Sequence, residues 1–209
     1  DIGYTGGAWA ASGVLTPEAS GTVTLSTTTF DNVMMPVYWQ NSSGTIDGIT
    51  VTNSARSNWQ SAILAYNTNT SLAAARAGDA PAVTGPPVKA SPFDEGAVNN
   101  STTGTLATAY TLNIVNSCLT GTSNPSSIGI RSYSSGGGMD VTATNNTLSG
   151  WDYGCYVASP ATLTAHENSI TSNLSSAFYG TGSSNAERNW WGDAAGPTGR
   201  FDRSKASQP

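Results

Sequence analysis

Apolar residues recur along this chain in short alternating runs rather than in helical stripes. Val23 and Leu25 lie seven and five positions before Phe30. Leu112 and Ile114 precede Leu119 at the same offsets, as do Val141 and Ala143 before Leu148, and Leu163 and Ala165 before Ile170. Gly44 and Ile46 hold those places before Val51. Apolar residues at every second position predict strands with one buried face. Small polar pairs interrupt each run: Thr27-Thr28, Asn116-Ser117, Asn145-Asn146 and Glu167-Asn168. Asn, Ser and Thr favour turns because their side chains bond nearby backbone. Two positions after each anchor comes another polar or small residue, such as Asn32, Asn53, Gly121, Gly150 or Ser172. A third apolar segment follows each anchor: Val37-Tyr38-Trp39, Ala62-Ile63-Leu64, Ile128-Gly129-Ile130, Gly154-Cys155-Tyr156-Val157 and Ala177-Phe178-Tyr179.

The anchors repeat at near-constant steps: 21 residues from Phe30 to Val51, 29 from Leu119 to Leu148, 22 from Leu148 to Ile170, and 21 from Ile170 to Trp191. Three short strands in 21 or 22 residues predict one turn of a parallel β-solenoid, whose inward residues are buried only by the turns above and below. The expected fold is therefore all-β, a single domain over residues 1–209 with six to eight turns, an N-terminal lead-in at 1–20 and a C-terminal tail at 193–209. The 68 residues from Val51 to Leu119 hold either two further anchors or one large excursion. Residues 71–104 are rich in Ala, Gly and Pro and read as a loop excursion. Ser71–Gly78 could open it as a short helix, which the prolines at 81, 86 and 87 would stop.

Composition narrows the function. Glycines (23) outnumber the 8 basic and 13 acidic residues together, so the surface is polar but nearly uncharged. A formal charge of -5 with no basic run excludes a nucleic-acid partner. No apolar run approaches the ~20 residues of a membrane span. Low charge with many Ser, Thr and Asn is the composition of secreted and cell-surface proteins, so the expected location is extracellular. The chain opens without Met or a signal-peptide pattern, and reads as a processed chain or a piece of a longer one. Two cysteines are too few for a disulfide scaffold. The sequons at Asn41 and Asn173 are common by chance in such a composition.

Asn189-Trp190-Trp191-Gly192 followed by Gly196-Pro197 resembles the ending of right-handed parallel β-helix repeat proteins, of the pectate-lyase-like superfamily. Asn145–Gly150 and Glu167–Ile170 are similar to that family's Asn-x-Ile/Leu turn. The resemblance covers roughly 20–67 and 105–199. It implies a right-handed winding and leaves the activity open, because members include polysaccharide lyases, glycoside hydrolases, adhesins and structural surface proteins.

In a parallel stack, like residues lie about 4.8 Å apart. Asn116, Asn145 and Asn168 are thus expected to form an amide ladder, and Asn189, Trp190, Trp191 and Gly192 to be structural, the tryptophans packing the solenoid end. Enzymes of this superfamily would need acids with a Lys or Arg base, often with Ca²⁺, or paired carboxylates. Asp140 and Asp152 do not share a repeat position, nor do Asp31 and Asp47, so no catalytic residue is assigned. No cofactor is expected. Asp94-Glu95 is the place for Ca²⁺ if one binds, and the lone His166 is read as an outward, solvated residue. Cys155 aligns with Ile130 and should be buried; Cys118 should point outward. Asp152 and Asp193 lie near aromatics, where turn formation is the plainer role.

Aromatics recur around the third strand. Alternation cannot bury both Tyr38 and Trp39, so some must face outward. Trp39, Trp59, Tyr133, Trp151, Tyr153 and Tyr156 are the expected binding residues, for a sugar chain or another protein. The expected function is a non-catalytic extracellular module: an adhesin, a surface-layer component, or a self-assembling or glycan-binding subunit. A polysaccharide lyase or hydrolase is the alternative. Ice binding is the minor one, since Thr22, Thr24 and Thr27–Thr29 look like a single segment of a threonine array.

Overall fold

The computed structural model describes residues 2–3, 10–17, 21–54, 60–68, 108–135 and 137–193. Its strands follow the chain in groups of three. They are β1 (Ile2–Gly3), β2 (Ala10–Pro17) and β3 (Thr22–Ser26); then β4 (Thr29–Asp31), β5 (Val33–Gln40) and β6 (Ser43–Asp47). Next come β7 (Thr50–Ser54), β8 (Ser61–Asn67) and β9 (Tyr110–Val115), and β10 (Cys118–Gly121), β11 (Ile128–Ser134) and β12 (Met139–Thr144). The last six are β13 (Thr147–Ser149), β14 (Tyr153–Val157), β15 (Thr162–His166), β16 (Ser169–Thr171), β17 (Ser176–Gly180) and β18 (Ser183–Asn185). Every third strand pairs in parallel, giving three six-stranded sheets: sheet A (β1, β4, β7, β10, β13, β16), sheet B (β2, β5, β8, β11, β14, β17) and sheet C (β3, β6, β9, β12, β15, β18). No helix occurs among the described residues.

This is a parallel β-solenoid of about five turns with every sheet six strands deep, at the low end of the six to eight expected. The interval after Val51 adds no turn of its own. Val51 pairs directly with Leu119, so the 67 intervening residues contain no further anchor of sheet A. The excursion leaves after Thr68 and returns by Thr108, within one turn. Asn67 ties its two ends, its Nδ2 donating to Thr108 O at 2.9 Å and Gly138 O at 2.8 Å. The excursion itself at 71–104, the Ser71–Gly78 helix, and the tail beyond residue 193 lie outside the described residues. Within the N-terminal lead-in, β1 and β2 pair with β4 and β5.

The core runs down the axis. Phe30, Val51, Leu119, Leu148 and Ile170 stack in register in sheet A, and Trp191 continues the column at 6% exposure. Val37, Ile63, Ile130, Cys155 and Phe178 do the same in sheet B. Each buried Val, Leu or Ile contributes about 1.5–3 kcal/mol. Each is buried only because its neighbours above and below are present.

Two predicted residues sit in this core rather than on the surface. Trp39 and Trp151 are fully buried. Gly44 occupies an inward position beside Trp39, and a Cβ there would come within 2.5 Å of the indole. Gly121 makes the same room for Trp151. The indole N–H groups donate to Ser42 O at 2.9 Å and Leu119 O at 3.0 Å. The glycines that broke the apolar pattern are thus the spaces that the two indoles fill.

The turn between sheets C and A has a fixed construction. Thr27, Asn116, Asn145, Glu167 and Arg188 all have φ between 50° and 59°, and the residues after the last four, Ser117, Asn146, Asn168 and Asn189, are buried. The amide ladder is built from those next residues: Asn146, Asn168 and Asn189. Asn168 Oδ1 accepts from Asn146 N–H and Nδ2 at 2.9 and 3.0 Å. Asn189 Oδ1 accepts from Asn168 N–H and Nδ2, both at 2.9 Å. Ser117 heads the ladder, donating its N–H to Asn146 Oδ1 at 2.9 Å. Asn116 and Asn145 are corrected to exposed left-handed turn residues, one position too early for the ladder; Asn tolerates that backbone better than most. Asn189 gives the Asn-Trp-Trp-Gly motif its role as the ladder's last member. Trp191 packs the end as expected, while Trp190 is 52% exposed and does not. Gly192 carries the left-handed turn after them, at φ 89°.

Both cysteines are free, with Cys118 exposed and Cys155 buried. Burial pushes the Cys155 thiol from 9.0 up to about 12. Stability is therefore unaffected by this thiol below pH 9 and falls as pH rises from there towards 12, where the folded state resists ionisation. A thiol reagent should label one cysteine in the native protein and two in denaturant; labelling of both in the native state would contradict the burial of Cys155.

Candidate functional site

Alternation in sheet B sends one residue of each pair outward. Tyr38, Leu64, Arg131, Tyr156 and Tyr179 share one outward position across β5, β8, β11, β14 and β17. Tyr66 and Tyr133 pair two residues further on. The tyrosine rings are half-buried and touch in sequence along the axis. Tyr38 and Tyr66 have centroids 6.5 Å apart, and Tyr66 and Tyr133 5.0 Å. The Arg131 guanidinium lies 5.8 Å from both the Tyr133 and the Tyr156 centroids, bridging the upper and lower groups. Tyr156 and Tyr179 are 5.8 Å apart, and Tyr153 lies 5.6 Å from Tyr179.

The result is a strip of six tyrosines and one arginine running parallel to the solenoid axis. Each aromatic pair contributes about 0.5–1.5 kcal/mol beyond area burial, and each cation–π contact at such a site about 0.5–1 kcal/mol. The strip is thus held in place before any ligand arrives. Arg131 is the only charged residue in the six strands of sheet B. Burial raises the Tyr156 phenol above its ordinary value, with Arg131 opposing and Tyr179 and Tyr133 adding to the rise. The phenol therefore stays neutral, able to donate and accept hydrogen bonds through the physiological range.

Of the expected binding residues, the structure brings Tyr133, Tyr153 and Tyr156 together on this strip. Trp39 and Trp151 are buried elsewhere, and Trp59 lies outside the described residues. Arg131 and Tyr179 were not among the expected site residues, although their shared strand position with Tyr156 was readable from the repeat. Among the described residues no group of His, Cys, Asp and Glu could hold a metal ion, and Asp94-Glu95 is not described. His166 takes an outward register beside Thr144, but its Nε2 is shielded from solvent and has no hydrogen-bond partner, so it is not the solvated residue expected. Asp152 is buried and accepts from the Ser126 N–H and the Ser175 hydroxyl, which fixes it as a turn former. Asn41 is fully buried and bonded to Thr68, which closes that sequon to modification.

No family model, curated protein or solved structure matches the chain.

Proposed function

We propose that this protein is a non-catalytic extracellular or cell-surface binding module of the right-handed β-helix type, and that it holds an extended glycan along the tyrosine strip. The observation that carries the reading is the strip itself. Tyrosine rings offer flat faces to the C–H faces of sugars, and their hydroxyls reach ring substituents. Two side-chain torsions per residue keep the ordering cost low. The strip spans several turns, which suits a polymer better than a small molecule. The low-charge surface fits a role outside the cell.

Binding should be measured on a glycan array, then by calorimetry on the best ligand. Tyr133→Ala and Tyr156→Ala are each expected to weaken binding at least about tenfold, the order of a lost interfacial aromatic anchor, with the unfolding midpoint lowered by the lost ring contacts but the protein still folded at the temperature of the binding measurement. Silence across a broad array, or full affinity in both variants, would sink the reading. Release of unsaturated or new reducing ends from a bound polysaccharide would instead favour the lyase or hydrolase alternative.

A second reading, self-association, is favoured by Leu174 and Trp190, the exposed large hydrophobic residues among those described, which both lie near the C-terminal end of the described stack. Sedimentation over a concentration series distinguishes it: a single monomeric species throughout would count against it.

A further inference from the structure

Each inward anchor of sheet A is flanked by residues that face out, and the register gathers these into two columns. Thr29, Thr50 and Thr147 lie in one column; in the other, Thr52 pairs with Asp31 on one side of a register shift, and Thr120 and Thr171 line up with Ser149 on the other side of it. Ser169 and Ser149 complete them, so eight of the ten outward positions on β4, β7, β10, β13 and β16 carry a hydroxyl. The exceptions are Cys118 and Asp31. Register slips once, between Leu119 and Gly121. Only scattered threonine pairs are visible along the chain, because the flanking residues are separated by whole turns.

The columns form a grid. Neighbouring turns lie about 4.8 Å apart, and alternate residues along a strand about 6.7 Å apart. Threonine is stiff at its first torsion, so its hydroxyl and methyl hold fixed directions at each point. The grid is almost without charge: Asp31 stands at its N-terminal margin, and its carboxylate accepts the Thr52 hydroxyl at 2.6 Å. None of the ten positions is aromatic, so the face lacks the stacking platform of sheet B. A neutral, regular array that both donates and accepts matches a partner that is itself neutral, regular and hydrogen-bonding in both senses. Crystalline water is that partner, with repeats close to both grid spacings. Sheet C is also rich in threonine, but Asp47, Asp140 and His166 break the uniformity of its outward positions.

We infer that the outer face of sheet A binds ice. The methyls hold back disordered water while the hydroxyls fix the first lattice layer. This inference does not depend on the tyrosine strip, which faces another way around the solenoid.

Ice crystals should be grown in a nanolitre osmometer with the purified chain. Faceted crystals and a gap between melting and growth temperatures are expected, both absent with albumin at equal concentration. Thr120→Tyr and Thr147→Tyr, each projecting from the grid, should remove most of the gap with unfolding curves unchanged. Thr142→Tyr, on sheet C, should retain it. Rounded crystals with the unmodified protein would overturn the inference, and that readout needs no variant to fold. So would equal loss in Thr142→Tyr, or full activity in both sheet A variants.

Discussion

Replacing Asn168 by Ala is expected to destabilise the protein by about 3–5 kcal/mol, a loss reserved for buried polar networks. Asn168 is buried at the centre of the ladder. Its Oδ1 receives the Asn146 N–H, and its Nδ2 donates to Ala143 O and His166 O at 2.9 Å as well as to Asn189. Truncation removes all of these at once, and each buried group deprived of its partner costs about 1–3 kcal/mol. Asn145→Ala, one turn away and exposed, loses only the tolerance of Asn for the left-handed backbone, about 1 kcal/mol. Urea denaturation of both variants makes the comparison, with the midpoint shift read at constant slope. Equal midpoints would mean that the ladder contributes nothing beyond an ordinary turn.

Trp151→Ala is expected to cost as much, about 3–5 kcal/mol, for a different reason. The indole fills space beside Gly121 and Gly129, neither of which has a side chain to collapse into the void. Its N–H bond to Leu119 O is lost as well. Trp190→Ala, on an exposed ring of the same type, should stay within about 0.5 kcal/mol. The pair separates the indole that holds the stack from one that does not. A small effect at Trp151 would require the neighbouring turns to close over the gap, which the direct backbone pairing of β10 with β13 opposes.

The period-two pattern and the 21–22-residue step were enough to read the solenoid, its three strands per turn and the inward column from Phe30 to Trp191. Alternation alone also oriented both cysteines. What escaped the sequence was register at the single-residue level. Each C-to-A turn holds two polar residues, and polarity does not say which one points inward. Asn116 and Asn145 were therefore placed in a ladder that belongs to Asn146, Asn168 and Asn189. The tryptophans escaped for a related reason. Trp39 and Trp151 look like surface aromatics until one sees that glycines across the core leave them room. The strand position of Arg131 was legible from the repeat, but its place between the Tyr133 and Tyr156 rings was not, since the second ring comes from the next turn.

The direct pairing of Val51 with Leu119 has a kinetic side. The other turns close contacts between residues 21 to 29 apart, as Phe30 does with Val51 or Leu119 with Leu148. Joining β7 to β10 closes 68, which adds about 1 kcal/mol of chain entropy to that one step. In a solenoid, where each turn contacts only its neighbours, such a step does not slow the rest. The turns on either side can zip independently and meet late. The protein would then refold as two short stacks whose union limits the rate, and shortening residues 69–107 would speed that union while leaving the columns within each half untouched.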